Sequence, residues 1–300
     1  MGLPPFRYLF FGNYFIGILA LALNVETNFQ LRLPFFSISY YCLLFILPVV
    51  YYTYAYQHQT IAPASNNPRS RWYYDNSGLV FKMQIVLLVL AALCAGNICY
   101  RHFDNIIHLP TFYWVLMLLV ILAGLLYYGL LPGFTLRQVG WLKAFVIGFV
   151  WACCANLLPI IILKVEFNID FHQHILWVFL FLKNWTFCTV NAIIFDIKDY
   201  PSDANKQLKT FVVRYGLRKT IFSILMPILS VGMIALLCFA TFKGFGLLPG
   251  MINCIPFVLT LLVAYSMRKR HSLDYYLVVI DGLILLKACC GILAMYFVKG

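Results

Sequence analysis

Nine apolar stretches, each about as long as a membrane crossing, constrain this chain more than anything else in it. They run at about 8–28, 35–56, 78–98, 111–131, 141–163, 174–195, 219–241, 248–266 and 274–297. A helix rises about 1.5 Å per residue, so roughly 20 such residues cross a hydrocarbon core of about 30 Å. The chain is 63% hydrophobic and only 11% charged, more apolar surface than a soluble domain can bury. Ten-residue alternating segments are absent, which argues against a barrel. The expectation is therefore an all-α, polytopic membrane protein with about nine transmembrane helices, forming a single integral membrane domain over residues 1–300. Pro34, Pro110, Pro132 and Pro249 punctuate the connections. The first stretch contains Asn24 and Glu26 and lacks a small-residue cleavage site, so no cleavable signal peptide is expected. The ten cysteines form neither a CxxC nor a Cys/His cluster, which gives no indication of zinc or of a disulfide framework.

The net charge of +12 raises the question of nucleic acid, and its distribution answers it. With the N-terminus and the even-numbered loops on one side, that side collects fifteen Lys and Arg residues and the other five. This is the positive-inside asymmetry of a multi-pass protein. It predicts a cytoplasmic N-terminus, an outer C-terminus, and cytoplasmic loops at 57–77 and 196–218. Membrane lipids, rather than nucleic acid, are the expected neighbours of the basic surface.

Carboxylates are scarce, ten in 300 residues, yet FDIKDYPSDANKQLKT (195–210) gathers three of them. Asp196, Asp199 and Asp203 stand at i, i+3 and i+7, within an arc of about 60° on a helix. Like charges on one face repel unless a cation lies between them. Mg²⁺ suits the position, since it takes oxygen ligands and commonly binds a few carboxylates together with substrate phosphates. Lys198, Lys206 and Lys209 lie close enough in sequence to hold phosphate oxygens as point charges. A solvated juxtamembrane turn of mixed charge accounts for the same spacing, and Pro201 leaves open whether one regular helix runs through it.

Asp196-Ile197-Lys198-Asp199, Asp203, Lys209-Thr210 and Gly216 resemble the second aspartate-rich motif of the UbiA-type intramembrane prenyltransferases, DxxDxxxD with a Thr or Ser seven residues beyond its last Asp. The stretch LYYGLLPGFTLRQVGWLKAFVIGFVWA (126–152) is similar to that family's connection between helices four and five, through Tyr127, Arg137, Leu142 and Lys143. The resemblance implies a UbiA-like bundle with two aspartate-rich motifs facing each other over a cavity. It implies that Mg²⁺ held at Asp196, Asp199 and Asp203 grips an isoprenyl diphosphate, with Arg137 and Lys143 beside the diphosphate. An allylic cation would then alkylate a lipophilic, often aromatic, acceptor.

The first motif departs from that pattern. Where NDxxD is expected, the chain reads Tyr54-Ala55-Tyr56-Gln57-His58-Gln59, and no carboxylate occurs between Glu26 and Asp75. Asn67-Pro68-Arg69 resembles the motif's NxR ending without its acids. His58 is a candidate diphosphate contact or metal ligand, and Asp75 a candidate substitute acid. The departure motivates one alternative, a prenyl- or lipid-binding protein without chemistry; a prenyl-diphosphate cyclase is a variant of the enzyme, and nine spans with buried charges also permit a transporter. Polar residues inside the spans (Asn24, Glu26, Asn97, Asn156, Lys183, Asn191, Asp281 and Lys287) read either as interhelical hydrogen bonds or as cavity lining. Glu26, near the outer end of its span, is given no catalytic role.

Overall fold

The computed structural model describes residues 4–57, 67–128, 139–205 and 207–298. All the regular structure among those residues is helical, with no strand. Six helical segments are long and apolar enough to cross a membrane: Ser77–Arg101, Gly140–Phe167, His174–Asn205, Phe211–Phe242, Leu247–Ser266 and Leu273–Met295. A bent pair, Pro5–Phe11 with Tyr14–Leu31, makes a seventh if it is one span. Ile38–Tyr54 and Thr111–Leu125 are shorter apolar helices. By length and composition this is a multi-pass membrane protein. Large apolar side chains that a soluble fold would bury, such as Phe81, Ile85 and Leu93, stand exposed along Ser77–Arg101, as on a helix whose outer face meets lipid.

The helices form two compact units. Unit 1 comprises residues 1–21, 34–109 and 162–170. It holds α1 (Pro4–Phe11), the start of α2 (Tyr14–Leu31), α3 (Ile38–Gln57), α4 (Pro68–Asp75), α5 (Ser77–Arg101), α6 (Phe103–Ile107) and the end of α9 (Leu158–Phe167). The chain bends by 62° between α1 and α2. Asn13 makes that bend with φ of 64°, a left-handed conformation that Asn tolerates better than most residues. Ser37 opens α3 by accepting the Tyr40 amide at 3.2 Å, and Glu166 takes both its N–H (2.8 Å) and its hydroxyl (2.5 Å).

Unit 2 comprises residues 22–33, 110–161 and 171–300. Its helices are α7 (Thr111–Tyr128), α8 (Gly140–Ala152), the start of α9, α10 (His174–Asn205), α11 (Phe211–Lys219), α12 (Met226–Phe242), α13 (Leu247–Ser266), α14 (Leu273–Tyr275) and α15 (Asp281–Met295). Three π-helical turns, Cys153–Leu157, Thr220–Leu225 and Tyr276–Ile280, join successive helices into longer spans. Helices α8 and α10 pack closely because α8 offers glycines. A side chain at Gly148 would collide with Thr189 and the Trp185 carbonyl, and one at Gly140 with the backbone of Lys209 and Thr210.

Helix α10 decides where the aspartates lie. Its 32 residues span about 48 Å, well beyond a core of about 30 Å, so the helix extends past the hydrocarbon. The sequence suggested a span ending near 195 followed by a loop. Instead the helix runs through the motif to Asn205, with Pro201 inside its last turns. Thr210 then caps α11, its hydroxyl accepting the Val213 amide at 3.4 Å. Gly216 kinks α11 at φ 77°, ψ 163°, a backbone region open essentially to glycine alone.

Candidate functional site

Two of the three aspartates converge on one amine. Lys143 Nζ lies 2.6 Å from Asp196 Oδ1 and 3.7 Å from Asp203 Oδ2. All three residues are buried: Asp196 is 1% exposed, Asp203 6% and Lys143 7%. The close approach at Gly140 puts the first turn of α8 against the 209–210 backbone, and Lys143, one turn on, reaches across to α10. Seven residues along a helix are nearly two full turns, so Asp196 and Asp203 share a face.

Asp199 does not share that pocket. Its side chain is 44% exposed and pairs with Lys198 Nζ at 3.3 Å. Lys198 also lies over the Phe195 ring, 5.4 Å from its centroid. Asp199 is close enough to act electrostatically on both Lys143 and Asp196. Lys209 is exposed. His58, Arg137 and Lys206, the other expected diphosphate contacts, lie outside the described residues, as does the side chain of Tyr127.

Among the described residues no cluster of three or more His, Cys, Asp or Glu side chains is assembled at metal-binding distance. The donors that do converge suit a hard cation. Asp196 Oδ2 is buried and accepts no hydrogen bond, while Oδ1 holds Lys143. A fully buried carboxylate oxygen without a donor is costly unless a cation or a donor reaches it. The Lys143 ammonium stands between the two carboxylates, where the sequence had suggested a metal. Asp196 and Asp203 supply carboxylate oxygens, the donor type a hard cation takes, and Asp199 stands half-exposed outside them.

The surroundings are aromatic and partly polar. Tyr276 is buried with its ring 6.1 Å from Phe195. Tyr275 stacks on His271 at 4.1 Å and shares a 3.2 Å hydrogen bond with Ser266. Asn191 donates to the Ile280 carbonyl at 3.1 Å, at the end of the Tyr276–Ile280 π-helical turn, and its own Oδ1 is left without a donor.

A second buried cluster in unit 2 went unrecognised as a unit in the sequence. Glu26 Oε1 accepts from Lys183 (3.1 Å) and Gln30 (3.1 Å), and Oε2 accepts from Lys287 (2.6 Å). Lys183 also donates to Gln30 Oε1 at 3.3 Å, and Lys287 to Asn184 Oδ1. Asn184 passes the network on to Asn156, whose Oδ1 also takes the Thr27 hydroxyl at 3.2 Å. Gly291 on α15 leaves the space that Glu26 fills. The available signal was complementary charge: one acid and two lysines placed in three different apolar stretches.

Unit 1 contains Asn67-Pro68-Arg69 and the end of α3 with Tyr56. Asn67 caps α4, its Oδ1 accepting the Arg69 amide at 3.0 Å, with Pro68 in the first turn. Arg69 turns inward and donates to Asn13 Oδ1 (2.5 Å), the Phe11 carbonyl (3.1 Å) and Tyr56 OH (3.0 Å), stacking 4.0 Å from the Tyr56 centroid. All these acceptors are neutral. Burial pushes the Tyr73 phenol up, so it stays protonated and donates to the Phe11 carbonyl at 2.8 Å. Asp75 closes α4 and is exposed. Among the described residues, a buried guanidinium and tyrosines occupy this segment.

Comparison with protein-family models, with curated proteins and with solved structures finds no match to the chain. The site is therefore read from its own geometry.

Proposed function

We propose that this chain is a magnesium-dependent membrane enzyme of the UbiA type, moving an isoprenyl group from its diphosphate to a lipophilic, often aromatic, acceptor. The observation that carries this reading is the buried pair Asp196 and Asp203 at the far end of a membrane-length helix, with one carboxylate oxygen still unused. On this reading all nine apolar helices cross the membrane, including Ile38–Tyr54 and Thr111–Leu125, and the N-terminus and the end of α10 face the cytoplasm. A diphosphate would thus be held at the polar end of the bundle while its tail lies among apolar helices.

Bound at Asp196 and Asp203, magnesium would offset the charge of the diphosphate and of the pyrophosphate that leaves. The chain's own groups do the rest. Lys143 keeps the two carboxylates from repelling each other before substrate arrives, and its ammonium can turn to a phosphate oxygen when they are otherwise engaged. Asp199 and Lys198 form the open rim. The rings of Phe195 and Tyr276 lie 6.1 Å apart at this end of the bundle, and aromatic π faces of this kind favour a nearby cation.

The test uses purified full-length protein with farnesyl and geranylgeranyl diphosphates, Mg²⁺ and lipid extract as acceptor source, with products read by mass spectrometry. Mg²⁺-dependent turnover that disappears in Asp196→Ala and Asp203→Ala supports the reading. Turnover and binding that survive both substitutions overturn the site. The alternative, a prenyl-lipid-binding protein without chemistry, is favoured by one observation, the acid-free segment around Arg69 and Tyr56. It predicts Mg²⁺-dependent binding with no product under any condition. Product without an added acceptor would instead identify a cyclase.

A further inference from the structure

Unit 2 has a second polar opening, remote from the aspartates. His174 and Asp196 are 22 residues apart on one helix, about 33 Å at 1.5 Å per residue. Around the His174 end lies a cavity of about 590 Å³. Its walls include Arg32, Lys243, His172, His174, Gln30 and Gln173, and no carboxylate. Arg32 and Lys243 are exposed. Among the described residues, no ion pair or hydrogen bond ties the side chains of Arg32, Lys243 or His172. The first turn of α10 forms part of the wall, and the free amides of a helix start add further positive potential.

A narrower apolar slot continues from this cavity and shares Gln30, Leu176, Phe245, Met295 and Val298 with it. The slot passes the Phe179–Phe239 stack, 3.8 Å between centroids, and reaches Lys183. With its groups ionised, the Glu26–Lys183–Lys287 cluster carries one surplus positive charge, and Lys183 is the member that lines the slot. Cationic vestibule and apolar slot together have the polarity of an anionic amphiphile.

We infer that this opening binds an anionic lipid, its phosphate head between Arg32, Lys243 and the two histidines and one alkyl chain in the slot. The site is independent of the reaction proposed above. A lipid and a free phosphate share the head chemistry, and only the lipid uses the slot.

Full-length protein in neutral detergent micelles should be titrated with phosphatidylglycerol, with phosphatidylcholine of the same chains, and with inorganic phosphate, and occupancy read by native mass spectrometry. Phosphatidylglycerol is expected to bind about tenfold tighter than phosphatidylcholine, the order expected from a few basic groups acting on one anionic head. Inorganic phosphate should not displace it at tenfold molar excess over the lipid (about 1.4 kcal/mol in free-energy terms). In Arg32→Gln/Lys243→Gln the preference should vanish. In Arg32→Lys/Lys243→Arg, which keeps both charges, it should remain. Equal binding of the two lipids, displacement by phosphate, or a preference unchanged in the glutamine variant overturns the inference. The thermal midpoint of each variant, expected to match wild type because both residues are exposed, separates lost binding from lost fold.

Discussion

Unit 2 holds two buried charge clusters of opposite stoichiometry. At the end of α10, one lysine serves two aspartates; farther along the bundle, one glutamate serves two lysines. The glutamate cluster is closed. Both Glu26 oxygens are engaged, and each amine has a further oxygen from Gln30 or Asn184. The aspartate cluster is open, with surplus negative charge and a buried Asp196 oxygen that nothing donates to. A closed cluster fixes helices, here α2, α10 and α15. The other leaves an acceptor without a donor, and the cation site proposed above rests on that difference. The difference lies in how many donors reach each carboxylate, not in how many charges are buried.

The largest expected effect breaks the closed cluster. Glu26→Gln leaves two ammoniums buried without a counter-charge and should cost about 3–5 kcal/mol. Thermal unfolding in detergent measures it. Replacing the whole cluster, Glu26→Leu with Lys183→Met and Lys287→Met, should restore most of the loss, because a buried ion network is often no more stable than an apolar packing of similar volume. If Glu26→Gln melts with the wild type, the cluster does not hold the helices.

Next comes the open cluster. Asp196→Asn keeps the shape and removes one charge, and should weaken Mg²⁺-dependent diphosphate binding about 100-fold, roughly 2.7 kcal/mol. Calorimetric titration with a non-reacting diphosphate analogue reads this directly. The melting temperature should move less than in Glu26→Gln, since Asp196 already has an unsatisfied oxygen. A melting shift as large as that of Glu26→Gln, with binding intact, would make the aspartates a second lock and erase the contrast.

Lys143→Gln separates the two functions of the lysine. Removal of the internal cation leaves Asp196 and Asp203 repelling, so Mg²⁺ alone should bind as well as before or better, while diphosphate affinity falls about tenfold, the scale of one charge-assisted hydrogen bond. Weaker binding of both would mean that Lys143 only shapes the pocket.

Much of this was legible in the sequence, and the misses have physical causes. Hydropathy gave the all-helical membrane character because a span must be apolar along its whole length. The spacing of Asp196 and Asp203 foretold a shared face because helix periodicity is rigid. The same spacing puts Asp199 at the edge of that arc, and there it lies half-exposed and paired with Lys198. Hydropathy ends the span at Phe195, while the helix continues as a polar segment through Pro201 to Asn205. Lys143 was expected to face a phosphate. Its reach to α10 depends on Gly140 lying against the 209–210 backbone, a tertiary contact no local pattern encodes. The Glu26 cluster joins residues up to 261 positions apart, and only complementary charge hinted at it.

The smallest effect concerns the rim. Lys198 pairs with a half-exposed Asp199, and such a pair contributes about 0–1 kcal/mol and is screened by salt. Lys198→Gln should therefore change diphosphate affinity less than about threefold, under 1 kcal/mol, with the difference fading as ionic strength rises. Titrations of the variant and wild type at two salt concentrations are sufficient to see this. A tenfold loss that persists in salt would mean that the phosphate is held at the rim, by Lys198 rather than Lys143. The buried Asp196–Lys143–Asp203 set would then be closed in function as the Glu26 cluster is closed in geometry, and the open site would lie one turn away, at Asp199.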